Sequence, residues 1–268
     1  MRLIAIFVIG PLLIAGTAVV AAPYAAELAH VASADAVPIV LPAPETRSVV
    51  YAADGTILAV LHGEFNRFTV PLSLIPEPVI NAILAVEDKD FYEHDGVDVS
   101  ATARAALADV TSGEIEQGGS TITQQLIKNT VLNDDQDVER KIREAALAVR
   151  LEDQYEEELG SKKAAKDKIL EEYLNRVYFG GGAYGVQAAA EIYWGAPVAF
   201  LGYGEAALLA SLISSPNNYD PTRSPEVARE RRSLALDRMV EEGYLTTSEA
   251  DVYRDDPLPT ARQQVLPP

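Results

Sequence analysis

The sequence predicts a mainly α-helical domain with one small β-hairpin near its start, preceded by a single transmembrane helix. Residues 3–26 carry no charge and are long enough to cross a bilayer core, which needs about 20 apolar residues. Asp54-Gly55 stands between two stretches rich in apolar and β-branched residues, the strongest short-range signal for a hairpin. From Pro76 onward, apolar residues recur at helical spacing, as in Val79, Ile80, Ile83 and Leu84.

Composition limits the classes of function that the chain can have. Of its 268 residues, 48% are hydrophobic, which is enough for the core of one compact domain. The formal net charge of −18 repels nucleic acid and anionic membrane surfaces, so nucleic acid is excluded as a partner. Any anionic ligand must therefore meet a local cluster of cations. The chain has no cysteine, so it has neither disulfides nor thiolate metal sites.

Residues 1–27 are interpreted as a retained membrane anchor. A cleaved signal peptide is the alternative, but its apolar region usually runs only about 7–15 residues. Arg2 precedes the span, whereas Glu27, Asp35 and Glu45 follow it. This asymmetry favours a location of the folded part outside the cell. We therefore expect a single-pass protein of the cell membrane with its domain on the extracytoplasmic side.

Three segments follow the anchor. Residues 28–46 are rich in Ala and Pro and are predicted to be a linker. Residues 47–255 form the folded domain, and the proline-rich residues 256–268 are a tail or a truncated linker. Apolar spacing continues through Ala103, Leu107 and Val110, and it predicts further helices near 119–132, 137–157, 164–178, 184–194, 204–214, 224–242 and 246–254.

The first group of candidate site residues lies in AVEDKDFYEHDG. Glu87 and Asp88 end an apolar helical segment, and Phe91 and His94 follow. A carboxylate at a helix end, near aromatics and a second acid, can have its pKa raised toward the range of a general base. Taken alone, the two acids also fit a solvated helix terminus, and His94 fits a structural hydrogen-bonding residue.

The second group lies in QGGSTITQQLIKN. Two glycines precede Ser120 and Thr121, where a helix begins, and a helix N-terminus offers N–H groups to an anion such as phosphate. Gln124 and Lys128 share a face at i, i+4, with Gln125 and Asn129 beside them. An ordinary capped amphipathic helix explains the same pattern.

The third group is Arg140, Lys141 and Glu144, which lie about one helical turn apart. An intrahelical ion pair between Arg140 and Glu144 is the simplest explanation, and it stabilises a helix by only about 0.3–0.5 kcal/mol. In so acidic a chain, however, Lys128, Arg140 and Lys141 supply much of the positive charge available to hold a pyrophosphate. Two later segments read as packing helices, from which Glu171, Asn175 and Tyr178 project on one face.

Together, five ordered segments resemble the family 51 glycosyltransferases, the peptidoglycan glycosyltransferase domain of class A penicillin-binding proteins and monofunctional enzymes. The resemblance covers residues 47–255 and is highly specific. It rests on the motifs EDxxFxxHxG, GGSTITQQxxKN, RKxxE, ILExYLNxxYFGxGxYGVxxAA and LLAxLISSPNxYxP. It implies a lysozyme-like helical fold in two lobes, with a groove between them and a partly apolar region facing the membrane.

The resemblance also implies a reaction. Glu87 would be the general base that deprotonates the 4-hydroxyl of lipid II, which attacks C1 of the growing strand with inversion and expels undecaprenyl pyrophosphate. Glu144 would be the second essential acid, which either positions a divalent metal, magnesium or manganese, or aids the leaving group. Lys128 and Arg140 would lie near the pyrophosphate. Thr121, Gln125 and Asn129 would line the donor side.

The implied partners are lipid II, the growing glycan strand and the membrane, with a transpeptidase or division and elongation proteins as protein candidates. No organic cofactor is expected. The chain departs from the family pattern in a longer connection at residues 153–167 and contains no SxxK or KTG sequence, so no serine transpeptidase is expected within it. A lysozyme-like lytic enzyme and a catalytically idle scaffold are the alternative functions.

Overall fold

The computed structural model describes residues 38–44, 48–61, 67–102, 119–132 and 138–263. The predicted anchor and the segment from Ala103 to Val110 lie outside these residues. Within the described ranges, no helix combines the length and apolar character that a membrane crossing requires.

The predicted hairpin is present. Strand β1 (Ser48–Tyr51) pairs antiparallel with β2 (Ile57–Leu61), in a register that opposes Ser48 to Leu61 and shifts between Val50 and Tyr51. In the turn, Gly55 has φ +86°, a conformation that glycine adopts without strain. The Asp54 carboxylate accepts the Thr56 N–H at 2.9 Å, an Asx turn that fixes the hairpin.

The mainly α-helical prediction is confirmed, and each helix predicted between 119 and 254 is present with ends that differ by a few residues. The described helices are α1 (Glu77–Glu87), α2 (Ile122–Thr130), α3 (Val138–Leu159), α4 (Lys162–Leu174), α5 (Val186–Trp194), α6 (Tyr203–Leu212), α7 (Pro225–Glu241) and α8 (Thr247–Arg254). The longer connection at 153–167 is helical: α3 continues to Leu159, and Gly160 and Ser161 separate it from α4.

The helices pack in two groups that share one core. Helices α1, α6, α7 and α8 contact one another, and so do α2, α3 and α4. The buried apolar cluster draws side chains from both groups, including Ile83, Leu126, Leu151, Leu170, Leu209 and Leu236. Because this core is continuous, the ends of α1 and α2 are held in fixed positions relative to each other.

Helix α4 ends earlier than predicted, at Leu174 rather than near 178, because Asn175 caps it. The Asn175 amide donates to the Glu171 carbonyl at 2.8 Å and to the Val70 carbonyl at 2.8 Å. Its Oδ1 accepts the Val70 N–H at 2.8 Å. Glu171 binds the same segment, since its Oε2 accepts the Leu72 N–H at 2.9 Å. These two side chains therefore fasten the chain before α1 to α4.

Parts of the predicted linker and tail contact the domain. Ile39 forms hydrogen bonds through both its N–H and its carbonyl with the Gln154 side chain, at 2.8 and 3.3 Å. Near the other end, Arg262 forms an ion pair with buried Asp220, and the Gln263 N–H donates to the Ile192 carbonyl at 2.7 Å. Both segments thus contribute to packing.

Replacing Asn175 by alanine should destabilise the fold by about 2–4 kcal/mol, because it leaves the buried N–H and carbonyl of Val70 without partners. Urea unfolding followed by circular dichroism measures the change. Asn218→Ala is the matched control, since the exposed side chain of Asn218 donates to the Ser215 hydroxyl at the surface, and its effect should stay within about 0.5 kcal/mol. Equal destabilisation by the two variants would contradict this assignment.

Candidate active site

Glu87 is the last residue of α1 and is largely withdrawn from solvent. Its Oε2 accepts a hydrogen bond from Nε2 of Gln125 on α2 at 2.8 Å. Burial raises the pKa of Glu87, and the Gln125 hydrogen bond and the Arg238 charge offset only part of that rise. A carboxyl group whose pKa lies above its ordinary value is suited to take up a proton near neutral pH.

Helix α1 ends at Glu87 because Asp88 leaves the helical conformation, with φ −164° and ψ 78°. Arg238 on α7 donates to the Val86 carbonyl at 2.8 Å, which satisfies a backbone acceptor in the last turn. A cation at this position also interacts favourably with the negative end of the helix dipole. The end of α1 is therefore fixed by α7 as well as by the core.

Asp88 joins α1 to the start of α2. Its Oδ2 accepts the Ile122 N–H at 2.9 Å, and both of its oxygens lie 3.0 Å from Nε2 of His94. The side chains of Asp88 and His94 are buried. Because a carboxylate only accepts hydrogen bonds, Nε2 of His94 carries the proton in this contact. Asp88 thus fixes the end of α1, which carries Glu87, against the start of α2.

A buried ion pair lies behind His94. Nζ of Lys166 is 3.4 Å from Nδ1 of His94 and 2.7 Å from Glu152, which also accepts the Thr123 hydroxyl. The Phe91 ring lies beneath the ammonium group, with Nζ 4.6 Å from its centroid. Burial lowers the pKa of Lys166. The predicted residues Phe91 and His94 therefore support the site from inside the protein.

Glu144 is fully buried in α3 and forms a second cluster with the predicted cations. One carboxylate oxygen lies 3.2 Å from Arg140 Nη1, and the other lies 2.5 Å from Lys141 Nζ. Lys141 also donates to the Ser120 hydroxyl at 2.7 Å, which ties the turn before α2 to α3. Glu144 thus holds two cations together on α3.

The predicted divalent metal stays a prediction. Both oxygens of Glu144, its candidate ligand, contact cations. Within the described ranges, no group of three or more acidic or histidine side chains is arranged to hold a metal ion.

The start of α2 uses its polar side chains internally. Thr121 and Gln124 form a reciprocal capping box, and the Thr121 hydroxyl donates to the Gly96 carbonyl at 2.6 Å. Gly96 has φ +78°, and a Cβ there would lie 2.6 Å from the Val149 nitrogen, so only glycine fits. This close approach positions the N-terminus of α2.

Lys128 and Asn129 lie exposed in the last turn of α2. Among the described residues, Lys128 forms no ion pair or hydrogen bond, so its charge is available to a ligand.

Ser120 and Gln125 are five positions apart, which corresponds to a distance on the order of 10 Å. Gln125 contacts Glu87 and Ser120 contacts Lys141, so this short separation places Glu87 close to the cluster of Glu144, Arg140 and Lys141.

Four participants were not among the predicted site residues: Tyr173, Lys166, Glu152 and Arg238. Tyr173 on α4 is buried and donates its hydroxyl proton to Oε1 of Gln125 at 2.9 Å. Tyr173 is the tyrosine of the ILExYLN motif, so the motif could have identified it as a candidate site residue. Glu171 and Asn175, which project from the same helix, have the packing role described above.

The fold and the site define a helical domain that holds a carboxyl group of raised pKa and a cluster of two cations on a buried carboxylate. Residues 54–240 match the family described as Transglycosylase, and the chain belongs to this family. It is 45% identical over 220 residues to penicillin-binding protein 1A of Aquifex aeolicus, covering 82% of this chain and 29% of that protein. It is 42% identical over 207 residues to penicillin-binding protein 1A of Escherichia coli, covering 77% and 23%.

The family resemblance read from the five motifs is thereby confirmed, and no comparison favours the lytic enzyme or the idle scaffold. The chain spans only about a quarter of the length of these curated relatives. The crystal structure of penicillin-binding protein 1A from Haemophilus influenzae is similar at 22% identity with a TM-score of 0.45, covering 84% of this chain and 22% of that one.

Replacing Lys166 by methionine should destabilise the protein by about 3–5 kcal/mol, because it leaves the Glu152 carboxylate buried without its cation. Lys163→Met is the matched control, since Lys163 pairs with Asp167 at the surface and its loss should cost less than about 1 kcal/mol. Chemical denaturation of both variants measures the difference. Similar losses would show that the buried pair has no special role.

Proposed function

We propose that this chain is a peptidoglycan glycosyltransferase that polymerises lipid II into β-1,4-linked glycan strands, with Glu87 as the general base. The observation that carries the proposal is the Glu87 carboxylate itself, held by Gln125 and with its pKa raised by burial. Membership of the transglycosylase family supports the same reaction.

In the proposed reaction, Glu87 takes the proton from the 4-hydroxyl of an incoming lipid II. The hydroxyl oxygen forms a bond to C1 of the donor strand from the face opposite the pyrophosphate. The bond from C1 to the pyrophosphate oxygen breaks with its electron pair, so the anomeric configuration inverts and undecaprenyl pyrophosphate leaves. The proton remains on Glu87 until it returns to solvent.

The leaving group develops negative charge, which fixed cations stabilise. In a chain with net charge −18, these cations must be local. Lys128 has no partner among the described residues, and Arg140 and Lys141 are held together by Glu144. We assign Lys128 to the pyrophosphate and Glu144 to holding Arg140 and Lys141 in place. The divalent metal stays a prediction, and no step here depends on it.

Further features of the proposal concern fold and location. The two packed groups of helices are consistent with a lysozyme-like fold in two lobes. The uncharged residues 3–26 support a membrane anchor, with the domain on the extracytoplasmic side. An anchor suits the proposed substrates, because lipid II and the growing strand stay attached to the bilayer by their lipid. A transpeptidase or division and elongation proteins are the proposed protein partners.

Replacing Glu87 by glutamine should lower the rate of lipid II polymerisation by about 10²–10⁴-fold, because the amide cannot accept the proton. Polymer is measured with fluorescent lipid II on gels. In the wild type, kcat/KM should fall as pH drops through the pKa of Glu87, since the protonated form is inactive, and burial moves this limb above the pH expected for an ordinary glutamate. Equal polymer from Glu87→Gln would disprove the proposal.

Replacing Lys128 by alanine should reduce turnover by at least about tenfold while leaving the fold intact, because the lost charge acts on the leaving group. Lys163→Ala removes an exposed lysine from α4 and serves as the control, with an expected rate near that of the wild type. The assay is initial velocity at saturating lipid II. Unchanged turnover in Lys128→Ala would remove this residue from the mechanism.

A further inference from the structure

A chain of three side chains from three helices ends on the proposed base. The Tyr173 hydroxyl on α4 donates to Oε1 of Gln125 at 2.9 Å, and Nε2 of Gln125 on α2 donates to Oε2 of Glu87 at 2.8 Å. Tyr173 is 1% exposed, so its hydroxyl is shielded from water. Oε1 of Gln125 is the one acceptor recorded for that hydroxyl in the described part of the chain.

The orientation of the Gln125 amide follows from its two neighbours. An ionised Glu87 only accepts hydrogen bonds, so the NH₂ end of the amide must face it. The carbonyl end then faces Tyr173, whose hydroxyl can donate. Burial and the nearby Glu87 and Asp88 carboxylates raise the pKa of Tyr173 well above its ordinary value, so the hydroxyl keeps its proton throughout.

The two oxygens of Glu87 are therefore not equivalent. Oε2 is engaged by Gln125, whereas no hydrogen bond to Oε1 is recorded among the described residues. A proton that arrives from a substrate hydroxyl can bind Oε1 without displacing any protein contact. The amide keeps Oε2 in its accepting state at the same time.

We propose that Tyr173 is a positioning residue, which acts through Gln125 to keep the amide donating to Oε2 of Glu87 and so leaves Oε1 as the oxygen that receives the proton. This inference rests on the proposed function of Glu87 as the general base and deepens it. It gives the tyrosine of the ILExYLN segment a defined role in the reaction.

Without the hydroxyl, the Gln125 amide is free to rotate by 180°. Its carbonyl would then face Glu87, an arrangement that is favourable only when the carboxyl group is protonated. The protonated form of the base is stabilised, and a larger share of the enzyme is inactive at a given pH. The other charged groups facing Glu87, Asp88 in the chain and Arg238 on α7, are unchanged by this rotation.

The test is the acidic limb of the pH profile of kcat/KM for lipid II polymerisation. Gln125→Met should move this limb upward by about 1–2 pH units, the size expected for one lost hydrogen bond to a charged group. Tyr173→Phe should move it in the same direction by about 0.5–1 unit, since the amide stays but loses its orientation. In the Gln125→Met background, Tyr173→Phe should cause no further shift, because its effect passes through Gln125.

Tyr193→Phe is the matched control. Tyr193 is also 1% exposed, and its hydroxyl donates to the Phe179 carbonyl at 3.0 Å, away from Glu87. This variant should lose stability without moving the acidic limb. A limb that is unchanged in Tyr173→Phe, additive shifts in the double variant, or an equal shift in Tyr193→Phe would each overturn the proposal.

The remaining outcomes separate a failure of the positioning role from a failure of the proposed function. If Tyr173→Phe is unfolded by circular dichroism while Tyr193→Phe is folded, the hydroxyl maintains the fold rather than the base, and the positioning role is wrong. If the wild type makes no polymer, the proposed function itself fails. An active wild type whose pH profile is matched by Tyr173→Phe would contradict only the positioning role.

Discussion

The structure depends on the withdrawal from solvent of two adjacent carboxylates at the end of α1, Glu87 in large part and Asp88 fully. A buried charge is costly unless other groups pair with it or donate to it, so each acid needs partners from other elements. Asp88 takes them from the start of α2 and from His94, and Glu87 takes one from Gln125. Meeting these demands fixes α1 against α2, and a base with a raised pKa is the chemical result.

The same constraint gives Glu87 and Asp88 different roles. Both oxygens of Asp88 accept hydrogen bonds from fixed donors, one of which is His94. The Lys166–Glu152 ion pair supports His94 from its other side. Asp88 therefore connects the end of α1 to the start of α2. Among the residues that the structure describes, Glu87 has one oxygen engaged by Gln125 and no contact to the other, which suits the proposed role as a proton acceptor. Glu144 differs from both, since its two oxygens hold Arg140 and Lys141 and concentrate positive charge in an acidic protein.

Periodicity and turn chemistry were sufficient to predict the hairpin at Asp54-Gly55 and the helices from 119 to 254, because these depend on local preferences. Glu87, Asp88 and Gln125 were found through motifs. Tyr173, Lys166 and Glu152 were missed because their roles exist only where α2, α3 and α4 meet, and sequence spacing does not encode that contact. The helix that carries Asn175 was predicted to have a packing role, but its hydrogen bonds to Val70 depend on a contact between distant segments that spacing does not encode.

We propose that Glu87 takes a proton while a glycosyl group passes to a sugar hydroxyl and not to water. Incubating the purified protein with radiolabelled lipid II, and quantifying both the released undecaprenyl pyrophosphate and the glycan, tests this proposal. We expect one undecaprenyl pyrophosphate for each glycosidic bond formed, in a polymer that a muramidase degrades. Release of undecaprenyl pyrophosphate with free disaccharide products and no polymer would contradict it.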